Sequence, residues 1–305
     1  MFRQLALGAL LLGASAGAWA GLPVFCQQSL DIGAAGQDRV LRFAGVVKAE
    51  LERSGSNVAL ISRAGLDLSR FGQLYSHAGI ALRDNPGGPW AVRQLYYACD
   101  ESRPRLFDQG IAGFALGADA PARGHVSLLF LPEEDGARLA RTALDKRLAL
   151  ALLAGQYSAN AYAYGTRYQN CNQWVAEVLA SAWGARAHAR ADGNASEHPR
   201  EDAQQWLRAQ GYAAGPVTIP SRWMMFAGQF VPLVHLDDHP DQDVEALALQ
   251  VSVPASIEAF VRRQAPQARR VELCHTQERI VVRRGWEPLG AACEPGPDDE
   301  VTVLE

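Results

Sequence analysis

The stretch Asn170 to Trp183 constrains this chain more than any other. From Trp174 the apolar residues fall at Trp174, Val175, Val178, Leu179, Ala182 and Trp183, a spacing of three to four that marks one buried face of a helix. Cys171 falls in the first turn of that helix. Asn170, just before it, is a good N-cap, because its side-chain oxygen can accept from the unpaired backbone N–H groups at every helix start. Partial positive charge at a helix N-terminus favours thiolate over thiol, and a lowered pKa would make Cys171 a nucleophile at neutral pH. The alternative for a lone helical cysteine is a small buried hydrophobe or half of a disulfide.

The opening residues read as an export signal. Arg3 supplies a positive start, Leu5 to Ala18 is an apolar run too short to span a bilayer, and Ala18-Trp19-Ala20 is a small-x-small cleavage site. Residues 1–20 are therefore set aside, and the mature chain is expected from Gly21 in the periplasm or secreted, where disulfides persist. No second apolar run is long enough for a membrane span. Five cysteines are an odd number, so at least one is unpaired or bonds another chain. Cys26 with Cys99 and Cys274 with Cys293 make a pairing that leaves Cys171 free, although arithmetic alone does not fix the connectivity. The net charge is −4, the only lysines are Lys48 and Lys146, and no basic block exceeds an Arg pair; nucleic acid is not an expected partner.

Periodicity sketches the remaining elements. Val40, Phe43, Ala44, Val47 and Leu51 predict a helix over 38–54. Strands are expected at 57–62, at 76–83, at 90–97 and at 124–131, with the turn-forming Asp84 to Pro89 making a hairpin of the middle two. A helix from Glu133 to about Leu153 follows, then a loop with four tyrosines that delivers the chain to Cys171. Residues 184–198 read as an exposed loop and 201–210 as a short helix. Val217 to Leu236, broken by Pro220 and Pro232, suits a wrapping segment or edge strands better than a helix. The polar turn Asp237 to Asp243 is the best boundary. Beyond it come a strand at 247–253, a helix from Pro254 to Gln264, a hairpin of 270–274 with 280–284, and an acidic loop at 294–300. The chain thus divides into 1–20, a main domain 21–236 and a small C-terminal α+β unit 237–305.

A cysteine hydrolase needs a base within hydrogen-bond reach of its thiol and a third group to orient that base. His77 opens a predicted strand directly after a loop, which puts its imidazole at a sheet edge. If the hairpin pairs Arg83 with Trp90, Gln94 and Tyr96 project from the same side of the sheet as His77. Gln94 is then the leading orienter, with Tyr96 and His125 as alternatives. His235, Asp238 and His239 have the side chains of a metal site, but Pro240 and the adjacent acids also make a turn, and the reading calls for no metal or cofactor.

These residues resemble a family. Ser76-His77-Ala78-Gly79-Ile80-Ala81-Leu82 is similar to the histidine strand of the papain-like, NlpC-type cell-wall hydrolases, and Asn170-Cys171-Asn172-Gln173-Trp174-Val175 resembles their nucleophile helix. Histidine before cysteine is the order of the circularly permuted branch, which also holds the lecithin:retinol acyltransferase-like enzymes. The whole chain, through Pro254-Ala255-Ser256-Ile257-Glu258, resembles an uncharacterised family of exported bacterial proteins. The resemblance implies Cys171 as nucleophile, His77 as base and a polar residue on the next strand, where many relatives have His or Glu and this chain has Gln94. It implies an α+β, papain-like fold with an antiparallel sheet packed on the Cys171 helix. The expected activity is thiol-dependent hydrolysis or acyl transfer on an amide, cell-wall peptide first and lipid ester second. The rival is an exported binding or scaffolding protein on a degenerate hydrolase fold. Oligomeric state is not legible.

Overall fold

The apolar stripes are buried on the two faces of one large sheet. The computed structural model describes residues 32–116, 123–184 and 197–304; the expected export signal, Cys26 and most of the loop expected at 184–198 lie outside the described residues. Helix α1 (Gly33–Arg53) leads into strands β1 (Val58–Arg63), β2 (His77–Leu82), β3 (Ala91–Ala98) and β4 (Arg103–Gln109), then helix α2 (Ile111–Leu116) and strand β5 (Gly124–Phe130). Helices α3 (Glu133–Leu144), α4 (Lys146–Ala151), α5 (Cys171–Trp183) and α6 (Pro199–Ala209) follow. The rest is β6 (Gly215–Thr218), α7 (Arg222–Gly228), α8 (Asp241–Glu245), β7 (Ala248–Val251), α9 (Pro254–Gln264), β8 (Arg269–His275), β9 (Arg279–Arg284) and β10 (Glu300–Val303).

Eight strands form one sheet in the order β10-β9-β8-β5-β1-β2-β3-β4, and β6 pairs with β7 separately. Every pairing is antiparallel. Because strand side chains alternate between faces, Val58 and Leu60 of β1 join Ala78, Ile80 and Leu82 of β2 beneath Leu139, Trp174, Val178 and Phe260 of α3, α5 and α9. Ala59, Ile61 and Ala81 face the other way, against Phe43 and Val47 of α1 and Phe114 of α2. Helices cover both faces, so every residue of β1 and β2 is buried and the two read as continuous apolar runs without alternation. Trp174 is fully buried; replacing so large a side chain by Ala costs about 3–5 kcal/mol.

Four differences from the sequence reading have local causes. The helix expected over 133–153 breaks at Asp145, whose backbone is extended and whose side chain caps α4 by accepting from Leu148 N at 3.1 Å. Strand β4 was not expected because it is a sheet edge, exposed at alternate positions and rich in Arg, the composition that blunts edges. The segment between Pro220 and Pro232, expected to be extended, contains α7, capped by Ser221 through Met224 N at 3.1 Å; the prolines bound the helix from outside. The stretch 237–305, set apart as a unit, extends the large sheet: β8 pairs with β5 over Gly124↔His275 to Phe130↔Arg269, and β10, where a loop was expected to be ending, adds the far edge.

Cys274 and Cys293 are joined, with Cα atoms 5.8 Å apart, and close a loop worth about 3 kcal/mol by limiting the unfolded chain. Cys99 is also disulfide-bonded, while its expected partner Cys26 lies outside the described residues. Disulfides fit an oxidising compartment. Cys171 is a free thiol. Among the described residues no helix is long and apolar enough to cross a membrane.

Candidate functional site

Asn170 caps α5 as its side chain predicts: Oδ1 accepts from Gln173 N at 2.8 Å, and Nδ2 donates to Ala159 O and Ser252 O, each at 3.3 Å. Asn172 Nδ2 donates to Ser76 O and Ser252 O, each at 3.2 Å. The first turn of α5 is thereby tied both to the residue before β2 and to the chain leaving β7. One turn deeper, Glu177 is wholly buried and receives Arg200 Nε at 2.8 Å, Arg200 Nη2 at 3.0 Å and Gln169 Nε2 at 2.6 Å. Arg200 also donates to Thr166 O and Tyr168 O, so this cluster holds the loop that delivers the chain to Cys171.

His77 and Gln94 come together. The hairpin register pairs Ile80 with Arg93 and Leu82 with Ala91, the register that follows from Arg83 opposite Trp90, and it sets Gln94 and Tyr96 on the face of His77. His77 Nε2 lies 2.6 Å from Gln94 Oε1, and Gln94 Nε2 donates to Gln109 Oε1 at 2.7 Å. The imidazole packs between Tyr96, at 5.2 Å, and Phe114, at 5.8 Å. Gly79 makes this closeness possible: a Cβ there would come 2.5 Å from Val92 Cγ1 and 3.3 Å from Gln94 Cβ.

Cys171 is not hydrogen-bonded to His77. Ala78 packs with Cys171 in the core beneath α5, whereas His77, one residue earlier in a strand of period two, turns to the side of Phe114 and α2. The sequence reading sets His77 within reach of the thiol; at rest the sulfur has instead the backbone N–H groups of Ala78, Asn172 and Cys171 itself turned toward it. Burial pushes the thiol up to about 11, against the opposing pull of those N–H groups and of Arg63. The expectation of a depressed thiol pKa is thus corrected, because the helix terminus acts in the expected direction and desolvation outweighs it. Burial, and secondly the charge of Arg63, lower His77 to about 3, the bond to Gln94 opposing them. At neutral pH thiol and imidazole are both uncharged.

Cys171 forms part of the wall of a cavity of about 600 Å³, with Ser76, Tyr157, Asn172 and Ser252 nearby in the lining. Tyr157 is the one of the four loop tyrosines set beside the sulfur: its phenol is raised well above its ordinary value by burial and then by Cys171 and Tyr96. Tyr168 instead stacks on His235 at 4.4 Å, and Tyr162 packs on His239 at 5.6 Å. His125 is elsewhere, with Nε2 3.3 Å from Gly290 O. The His235 to His239 segment serves as an anchor: Asn160 Nδ2 donates to His235 O, His239 Nε2 to Asn160 O and Tyr162 N to Asp238 Oδ2. Among the described residues no group of three side chains is disposed to hold a metal ion. Sequence reasoning missed Gln109, Asn172 and Ser252. Gln109 lies on the unread edge strand and Ser252 reaches the site only through the chain's return, while Asn172 adjoins Cys171 and was open to notice as a second amide in the first turn.

A family model described as an uncharacterized protein conserved in bacteria (DUF2145) matches residues 50–261, a span that holds Cys171, His77 and Gln94 and runs through most of α9. No curated protein and no solved structure matches the chain.

Proposed function

We propose, on the premise that the chain belongs to this bacterial family, that it is a thiol-dependent hydrolase or acyltransferase with a papain-like, circularly permuted NlpC-type arrangement. The observation that carries the reading is the free thiol of Cys171 at a capped helix start, in the wall of a cavity. Cys171 Sγ would attack an acyl carbonyl, forming a C–S bond; the thiol proton passes through a base to the leaving amine or alcohol as its bond to the carbonyl carbon breaks. Water then cleaves the thioester, releasing the acid and restoring the thiol. The N–H groups of Ala78 and Cys171 are the candidates for binding the developing oxyanion. The resemblance makes His77 the proposed base, with Nδ1 as the open nitrogen because Nε2 is engaged by Gln94. Since the imidazole lies on the α2 side of the sheet and Cys171 on the α5 side, that role requires the start of β2 to rearrange when substrate binds. Catalytic hydrogen bonds commonly tighten only when substrate is bound, and at rest the thiol and the imidazole are both neutral. The resemblance points first to peptide amides of the cell wall and second to lipid esters, and the export signal read in the sequence fits the first.

A thiol raised to about 11 with no base bonded to it also suits an exported binding protein on a degenerate site. Intact-mass measurement after incubation with activated acyl esters and amides separates the two. The enzyme reading expects an acyl adduct on Cys171 that is absent from Cys171→Ala and persists longer in His77→Ala. A folded wild-type protein that forms no adduct and turns over none of them would overturn it.

A further inference from the structure

The cavity beside Cys171 is far from uniform. Most of its wall is apolar, with Val217 from β6, Leu249 and Val251 from β7, Met225 from α7 and Val234 beyond it. Asp67, Arg70 and Gln73 from the segment between β1 and β2 also line it. Met225, Leu249, Val251 and Val253 form a buried cluster of their own, so the small β6–β7 pair and α7 together build an apolar chamber against the first turn of α5. Its size falls within the range of about 300–1,000 Å³ usual for small-molecule sites. At the sulfur end the chemistry changes. There the polar residues Ser76, Asn172 and Ser252 line the cavity together with Cys171. A peptide backbone drawn into the aliphatic part would leave its own amides unpaired, at a cost greater than any methylene gains there, whereas a hydrocarbon chain loses nothing.

We infer that the chamber takes the aliphatic chain of an acyl amide, with the carbonyl at Cys171 Sγ. This rests on Cys171 as nucleophile and names the substrate class of that site. Attack forms the thioester of the aliphatic acid and releases the amine, which leaves with the thiol proton; water then yields the acid. The chain, not the amine, is the recognised part.

Binding and turnover test the inference separately. Folded Cys171→Ala protein, titrated with N-acyl amides of increasing chain length in competition with the fluorescent fatty acid cis-parinaric acid, is expected to bind about fourfold more tightly per added methylene, equivalent to ~0.8 kcal/mol, until the chamber is full. Val251→Trp fills the chamber and is expected to abolish this binding; Val217→Trp serves in its place if the first variant does not fold. Chain-dependent binding without turnover by the wild type supports the chamber and overturns Cys171 as nucleophile. Turnover of short peptide amides with no acyl-chain binding overturns the chamber and leaves the nucleophile standing. Affinity indifferent to chain length, or unchanged in the folded Trp variants, also overturns the chamber.

Discussion

His77 Nε2 donates to Gln94 Oε1 over 2.6 Å, because Gln94 spends its own Nε2 on Gln109 Oε1. A side-chain amide has one acceptor and one donor end, so Gln109 turns the acceptor toward the imidazole and the imidazole keeps its lone pair on Nδ1. The tautomer is set by a residue two strands away from His77.

Replacing Gln94 by Glu puts a carboxylate against Nε2 and is expected to raise the His77 pKa from about 3 toward its ordinary 6.5, read by NMR titration of the imidazole. Gln94→Leu leaves the buried N–H unpaired and is expected to cost about 1–3 kcal/mol in urea unfolding. An unmoved His77 titration in Gln94→Glu would mean that the pair is not formed in solution.

The depressed imidazoles make stability sensitive to acid. His77 is lowered to about 3 and His275 to about 4, both chiefly by burial, whereas in the unfolded chain each takes its proton near 6.5. Between those values the unfolded state binds more protons, so stability present above pH 6.5 is lost as pH falls. Urea midpoints at pH 7 and pH 4.5 are expected to differ less for His77→Gln than for the wild type. Equal differences would show that His77 is not buried neutral.

The thiol gives the opposite sign. With Cys171 raised to about 11 by burial, native protein should react slowly with iodoacetamide at pH 7, speed up as pH rises past 9 and label at once in denaturant. An unfolded thiol ionises near 9 and the folded one later, so this group's contribution to stability declines between about pH 9 and 11. Rapid labelling of folded protein at pH 7, unchanged by Arg63→Met, would show an ionised sulfur instead.

Glu177 and Arg200 hold the loop behind Cys171 through a buried ion pair. Removing one partner strands the other's charge, so Arg200→Met or Glu177→Leu alone is expected to cost about 3–5 kcal/mol, and the double variant much less than the sum. Additive losses in the double-variant cycle would refute the coupling.

How much of this was legible beforehand differs from residue to residue. The sequence by itself determined the α5 helix with its Asn170 cap and the pairing of β2 with β3 in a hairpin, because each depends on local periodicity, capping or turn chemistry. Those interactions act within a few residues or across one hairpin, where spacing is informative. The register that puts Gln94 on the face of His77 and the identity of the free cysteine stayed among alternatives until the structure chose. Tertiary structure decided the rest. Strand β8 joined the main sheet through β5, which no local pattern marks, since pairing between distant strands depends on which faces remain to be covered. The charge state of Cys171 and His77 was decided by the layers packed over them: helix position favours a thiolate, but desolvation is a property of the assembled core and it prevailed. The cavity beside the sulfur exists only because α7 and the β6–β7 pair return to it from far along the chain. A side chain's neighbours set its energy, and for this site most of those neighbours are distant in sequence.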